Sequence, residues 1–343
     1  MENVSAIPTS ATLDIVRVFA MTGVVADHYM QAKGGEVWDN IGLWLGAVCV
    51  SIFFSLSAFL FGKKWRKDNY HQFQPSTYFR KRFSRIYIPL WITVLIIVFI
   101  ESFLEKGFGI DTVLFNILGL GWFRPFQTGG HLWYITMLLG LYLLFFALSF
   151  LKTNKLDRTP RNVIGGGNLL IFSILLLLTI LFVYALFPDK FSTMSRSLPP
   201  VILVIASTLF LCGDKIVEYV ARHIVLIGVL LSLLLTASLM TYLNGWNTSH
   251  KALTVYFATV AGTMLFILLA AMVSARKQNS FIKHISSLSY EIYLVHLPLL
   301  PFVGHFVMPV WLSLLIWILA TYIVSYAINL ITKIITKPFI IKT

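Results

Sequence analysis

An arginine and a histidine eleven positions apart open the chemistry of this sequence. Residues 13–30 read LDIVRVFAMTGVVADHYM, where Asp14, Arg17, Asp27 and His28 interrupt a stretch otherwise apolar enough to cross a bilayer. A charged side chain at the centre of a bilayer costs about 2.5–3.5 kcal/mol on even the gentlest scale. Eleven residues at 3.6 per turn bring His28 back to within about 20° of Arg17, some ~16 Å further along the helix. Guanidinium is a permanent charge that suits phosphate or carboxylate, and imidazole is a base that titrates near neutral pH. That division of labour fits group transfer, and Asp14, one turn before Arg17, can pair with it. A structural ion pair at one end and an interfacial histidine at the other explain the same residues without chemistry. On this stretch alone both readings stand.

Two further stretches carry similar groups. GGHLWYITMLLGLYLL places His131, Trp133 and Tyr134 at the start of a span. An aromatic belt at the membrane–water boundary accounts for the Trp and Tyr better than for the His. ISSLSYEIYLVHLPLL puts Ser289, Tyr293 and His296 on one helix face, with Tyr290 and Glu291 beside it. An intramembrane Glu291 needs a partner, and a salt bridge or a satisfied core histidine would be the uneventful explanation. Three histidine-bearing spans favour a shared polar cavity over three separate accidents. In TYFRKRFSRIYIPLW the cations Arg80, Lys81, Arg82 and Arg85 gather at the mouth of a span. They suit anchoring on anionic lipid, a phosphate-bearing donor, or both.

The elements that must position these groups are membrane helices. The chain has 343 residues, of which 58% are hydrophobic and only 12% charged, too little polar surface for a soluble domain of this size. Helices of about 20 apolar residues cross about 30 Å of hydrocarbon. Ten segments qualify: 13–31, 41–62, 86–104, 131–151, 168–187, 198–213, 223–243, 252–274, 286–306 and 309–332. The expected fold is therefore all-α, a polytopic transmembrane bundle of about ten spans forming one domain over 1–343. With the connectors alternated, 20 of the 27 lysines and arginines fall on one side and six on the other, Arg17 being inside a span. The positive-inside rule then makes both termini cytoplasmic. It also explains the net charge of +13 without nucleic acid.

Several chemistries lack a signature. There is no Walker lysine loop, HExxH, GxSxG or dinucleotide glycine fingerprint, and no spacing that suggests a metal site. Cys49 and Cys212 lie in apolar stretches and read as inert buried thiols. No basic n-region precedes the first span and no small-residue cleavage site follows it, so it is expected to remain in the mature protein.

Taken in order, these motifs resemble those of the acyltransferase family 3 membrane proteins. The Arg17-to-His28 pattern is similar to the family's R-x10-H signature. SIFFSLSAFLFG (51–62) is similar to its FF-x-x-SG-F element, with Ala58 where glycine is usual. The basic run into RIYIP and the HLWYI…GLYLL stretch follow, and SLSYEIYLVH (287–296) is similar to its closing SYxIYLxH motif. The resemblance implies an integral-membrane O-acyltransferase that moves an acyl group, usually acetyl from acetyl-CoA, to a hydroxyl of a carbohydrate or lipid-linked glycan. It implies a home in the bacterial cytoplasmic membrane and no permanently bound cofactor. Many members carry a C-terminal SGNH hydrolase-like domain. This chain is expected to be a form without one, completing transfer itself or passing the acyl group to a separate extracytoplasmic transferase. In this scheme Arg82 and Arg85 hold the donor's phosphates and Arg17 stabilises the donor or an oxyanion. His28 is general base or transient acyl carrier. Asp14, Asp27, His131, Trp133, Tyr290, Glu291 and His296 support the site or line the acceptor path. A glycan transporter or flippase is the main rival; it predicts internal repeats, which the sequence lacks.

Overall fold

The computed structural model describes residues 9–67, 75–149, 194–244, 251–272 and 279–340. Among them the secondary structure is helical throughout. The helices are α1 (Ser10–Lys33), α2 (Glu36–Lys67), α3 (Pro75–Phe103), α4 (Ile110–Ile117), α5 (Trp133–Ser149), α6 (Met194–Arg222), α7 (Ile224–Leu243), α8 (Lys251–Met272), α9 (Ser280–Gly304) and α10 (Val310–Ile340). Six stretches on these helices are long and apolar enough to cross a membrane: Glu36–Trp65, Arg82–Phe103, Gly130–Ala147, Ile224–Leu243, Thr254–Met272 and Val310–Lys337. The expected spans at 13–31, 198–213 and 286–306 are also helical, within α1, α6 and α9. The expected span at 168–187 lies outside the described residues.

The chain divides into two units, Met1–Phe73 with Leu143–Lys283, and Gln74–Tyr142 with His284–Thr343. In the first unit α1 begins at Thr9, whose hydroxyl accepts from the Thr12 N–H, and ends at Gly34, where φ is +72°. Gly35 follows at φ +102°, and this pair of left-handed residues turns the chain into α2. Helix α2 then packs on α1, α6, α7 and α8. Small residues allow close approach: a Cβ on Gly23 of α1 would strike Cys49 Sγ, and one on Gly262 of α8 would strike the Val48 carbonyl. Polar pairs fix the register. Trp44 Nε1 donates to Ser238 Oγ at 2.9 Å, and Ser55 and Thr263 hydroxyls lie 3.2 Å apart. At the other end of α2 the rings of Phe61, Trp65, Phe145 and Phe210 stack with centroids 4.8–5.5 Å apart. Ala58, at the family's usual glycine position, is fully buried in this helix.

The second unit is built from α3, α4, the start of α5, α9 and α10. Helix α10 has inverted polarity. Its inward positions are Trp317, Thr321, Ser325, Ile328, Asn329 and Thr332, whereas Leu315, Ile318, Leu319, Ile323 and Leu330 point outward. Polar inside and apolar outside suits a helix whose solvent is hydrocarbon. Helix α7 of the first unit likewise exposes Val225, Leu226, Val229, Leu230 and Leu233.

The segment between α3 and α5 departs from the simple outer connector that the sequence suggests. Helix α3 ends in a Schellman turn: Glu105 takes φ +54°, Lys106 N–H donates to Glu101 O and Glu105 N–H to Ser102 O. The chain then runs back alongside α3 as the short helix α4, which also ends in a Schellman turn, at Gly119 with φ +74°. There the carbonyls of Ile117 and Leu118 accept from Trp91 Nε1 (2.9 Å) and the Tyr87 hydroxyl (3.1 Å). Ten residues later Thr128 is back beside Glu101. Tyr87 and Glu101 are fourteen residues apart on α3, about 21 Å of rise. Residues 104–130 thus fold back along the side of the unit, with Asn116, Phe126 and Thr128 buried against it. Irregular backbone at such depth is tolerated only where its polar groups find protein partners, and here they do. Gly119 O accepts from Thr136 Oγ1 (2.8 Å), and Arg124 O accepts from Asn116 Nδ2 (2.7 Å).

Candidate functional site

Each unit carries its own cluster of chemistry-bearing side chains. In the first, Arg17 and His28 lie on one unbroken helix, α1, so the offset read from their spacing holds. Arg17 donates to Asp14 Oδ1 at 3.1 Å, one turn earlier, and its side chain is about a quarter exposed at 27%. His28 is similarly placed at 21%, with Nδ1 4.0 Å from Asp27 Oδ2, an approach too long for a hydrogen bond. Asp27 itself is buried and accepts from the Gln31 amide one turn on. It rests on α2 where that helix has no side chains. A Cβ on Gly46 would overlap its carboxylate, and one on Gly42 would stand 2.9 Å from its carbonyl oxygen. The spacing Gly42-Leu-Trp-Leu-Gly46 places both glycines on one face. Sequence reading noticed Asp27 but not the glycine seat or Gln31.

In the second unit the HLWYI and SYEIYLVH stretches meet. His131 occupies a 3-10 turn, Gly130–Leu132, at the head of α5. Its Nε2 is 3.0 Å from Leu294 O. A carbonyl can only accept, so Nε2 carries a proton, and in a neutral ring Nδ1 is the accepting nitrogen. Leu294 O is available because Pro298, four residues on, has no N–H to occupy it. The Tyr293 hydroxyl donates to His131 O, closing a two-way contact between the 3-10 turn and α9. The fully buried His296 lies with its ring centroid 5.3 Å from that of His131. Its Nδ1 is 2.8 Å from Tyr293 O, so the proton sits on Nδ1 and the accepting nitrogen is Nε2. In their neutral forms the two rings therefore hold opposite tautomers.

Glu291 is buried, and its partner is one that sequence reading did not name: Asn329 of α10, whose Nδ2 donates to Oε1 at 2.8 Å. The other oxygen, Oε2, has no hydrogen-bond partner among the described residues. Tyr290 donates to Ile86 O at 3.0 Å, tying α9 to α3. Trp133 is half-buried at the first position of α5. On α3, Arg82 is half-buried and Arg85 exposed, three residues apart on one face. Arg17, Asp14, Asp27 and His28 thus form one group, in the first unit. His131, Trp133, Tyr290, Glu291, His296, Arg82 and Arg85 belong to the second.

Apolar helices that turn imidazole, carboxylate and amide groups inward are those of a multi-pass membrane protein. Residues 10–332 match the family described as "Acyltransferase domain". The chain belongs to that family, acyltransferase family 3, and is a membrane acyltransferase. No curated protein and no solved structure matches it significantly.

Proposed function

We propose that the protein transfers an acyl group, most simply acetyl from acetyl-CoA, to a hydroxyl of a cell-surface or exported carbohydrate, with His28 as the proton-transfer group. The observation that carries this reading is the family match over 10–332, which includes the Arg17–His28 pair on a single helix. In the proposed step His28 takes the proton of the acceptor hydroxyl while the oxygen bonds to the thioester carbonyl carbon. The carbon–sulfur bond then breaks, and the coenzyme A thiolate leaves with the proton returned by the imidazolium. General-base help of this kind contributes about 10²- to 10⁴-fold, and a charge aimed at the oxyanion about 10²- to 10³-fold.

Arg17 and His28 are about 16 Å apart along α1, too far to act on one atom. An extended donor lying along the helix reconciles them: Arg17, steadied by Asp14, holds the donor's polar arm and His28 meets the thioester. Arg82 and Arg85, in the second unit, have the fork chemistry that suits the phosphates of such a donor. Transient acylation of His28 is the variant in which imidazole, not the hydroxyl, attacks first. The distribution of lysine and arginine supports ten spans with both termini cytoplasmic, and the family membership supports a bacterial cytoplasmic membrane as the home. A separate extracytoplasmic transferase is a compatible partner.

The test uses membranes containing the full chain, [14C]acetyl-CoA and the glycan fraction of the same cells. The wild-type protein labels the glycan, and His28→Ala lowers that labelling at least 100-fold at equal protein level. Undiminished labelling by His28→Ala removes the proposed role.

A further inference from the structure

We propose that Glu101 is a positioning residue for His131, acting through Thr128. The proposal rests on the acyl-transfer reading only in treating His131 as part of the site.

Glu101 lies near the end of α3 and is fully buried. A buried carboxylate is costly unless hydrogen bonds compensate it. What it holds is the chain just before the 3-10 turn of His131. Oε1 accepts from the Thr128 backbone N–H at 2.6 Å and from the Thr128 hydroxyl at 3.1 Å. Two residues on, the turn Gly130–Leu132 begins, and Leu132 N–H donates back to Gly129 O. Gly129 is confined as well: a Cβ there would stand 3.1 Å from Ile97 Cδ1 and from Phe126 Cβ. The backbone carbonyl of Glu101 meanwhile anchors the turn that ends α3, accepting from Lys106 N–H. One residue therefore fixes both the departure of the fold-back segment and its return.

Only Oε1 is engaged; Oε2 has no hydrogen-bond partner among the described residues. The clamp needs an acceptor oxygen at one position and not a negative charge. An amide at the same place can serve Thr128 equally well, which separates a positioning role from a chemical one. The imidazole sits three residues beyond the clamp, and a misplacement of about 1 Å can cost on the order of 100-fold in rate.

The test compares Glu101→Ala and Glu101→Gln in the full chain, assayed in membranes with [14C]acetyl-CoA and the glycan fraction. Glu101→Ala is expected to lower kcat at least 10-fold with the KM for acetyl-CoA unchanged. Glu101→Gln is expected to restore kcat to within about threefold of the wild type. Wild-type turnover in Glu101→Ala overturns the proposal; so does a Glu101→Gln as poor as the alanine variant, which makes the carboxylate a chemical group. Hydrogen–deuterium exchange of the purified variants reads the clamp without any activity. The Thr128 amide should exchange at least tenfold faster in Glu101→Ala and at the wild-type rate in Glu101→Gln. Unchanged exchange in Glu101→Ala also overturns the proposal. Absence of glycan labelling by the wild-type protein counts against the acyl-transfer reading alone.

Discussion

His131 is bonded to Leu294 across two helices because Pro298 leaves that carbonyl oxygen without its usual helical donor. The His131 Nε2 to Leu294 O distance is 3.0 Å, and Pro298 lies four residues beyond Leu294 on α9. A proline that would weaken an isolated helix here turns a backbone oxygen into the group that sets an imidazole's proton.

Opposite tautomers are the first expectation. In protein labelled with 15N-histidine, solid-state NMR should show an Nε2–H ring for His131 and an Nδ1–H ring for His296. Substitution of each histidine by Asn assigns its signal. An Nδ1–H signal from His131 contradicts the geometry described.

Close packing of α1 on α2 gives a paired test. Gly23→Ala should lower stability by about 1–3 kcal/mol, since the new methyl meets Cys49 Sγ. Adding Cys49→Ala should recover most of that loss, because the obstructing sulfur is gone. Thermal unfolding in detergent of both single variants and the double variant measures the coupling.

The seat under Asp27 predicts a substitution that acts on a neighbour. Gly46→Ala pushes the Asp27 carboxylate from its place against α2. Because Asp27 adjoins His28, acyl transfer should fall by about an order of magnitude, with a stability loss of about 1–3 kcal/mol. A variant that is destabilised yet turns over normally would show that Asp27 is structural only.

Glu291 and Asn329 should respond unequally to substitution. Asn329→Leu removes the donor to a buried carboxylate and is expected to destabilise by about 1–3 kcal/mol. Glu291→Gln keeps an oxygen for Asn329 and should fold with nearly wild-type stability. Its turnover then reports whether the carboxylate serves the reaction, and unfolding curves beside initial rates separate the two effects.

Much of the helical layout was legible in the sequence, because apolar runs of bilayer length have few alternative explanations. The common face of Arg17 and His28 was legible too, because eleven residues of unbroken helix fix their offset. Helix α4 was not. IDTVLFNI is too short to cross a bilayer, and what holds it beside α3 are Tyr87, Trp91 and Thr136, side chains far away in the chain that look like ordinary span residues. Glu101 carries no motif that sets it apart from any charge near the end of a span. Asn329 could have been found by asking which polar group in the other spans satisfies Glu291, a question the sequence posed but could not resolve among several Ser, Thr and Asn candidates. The glycines at 42 and 46 carried the small-x3-small spacing of close helix packing, a signal present in the sequence and unused.

The fold-back segment also bears on how the protein is made. Helix α4 has eight residues, about 12 Å of length, and leaves the translocon with no capacity to insert by itself. Tyr87 and Trp91 have already been synthesised and can receive its end, but Thr136, which binds Gly119 O, emerges only afterwards on α5. Release of this region into lipid is therefore expected as a block from α3 through α5. A ribosome stalled so that residue 125 has just left its exit tunnel should hold the nascent chain at the insertion machinery until α5 arrives.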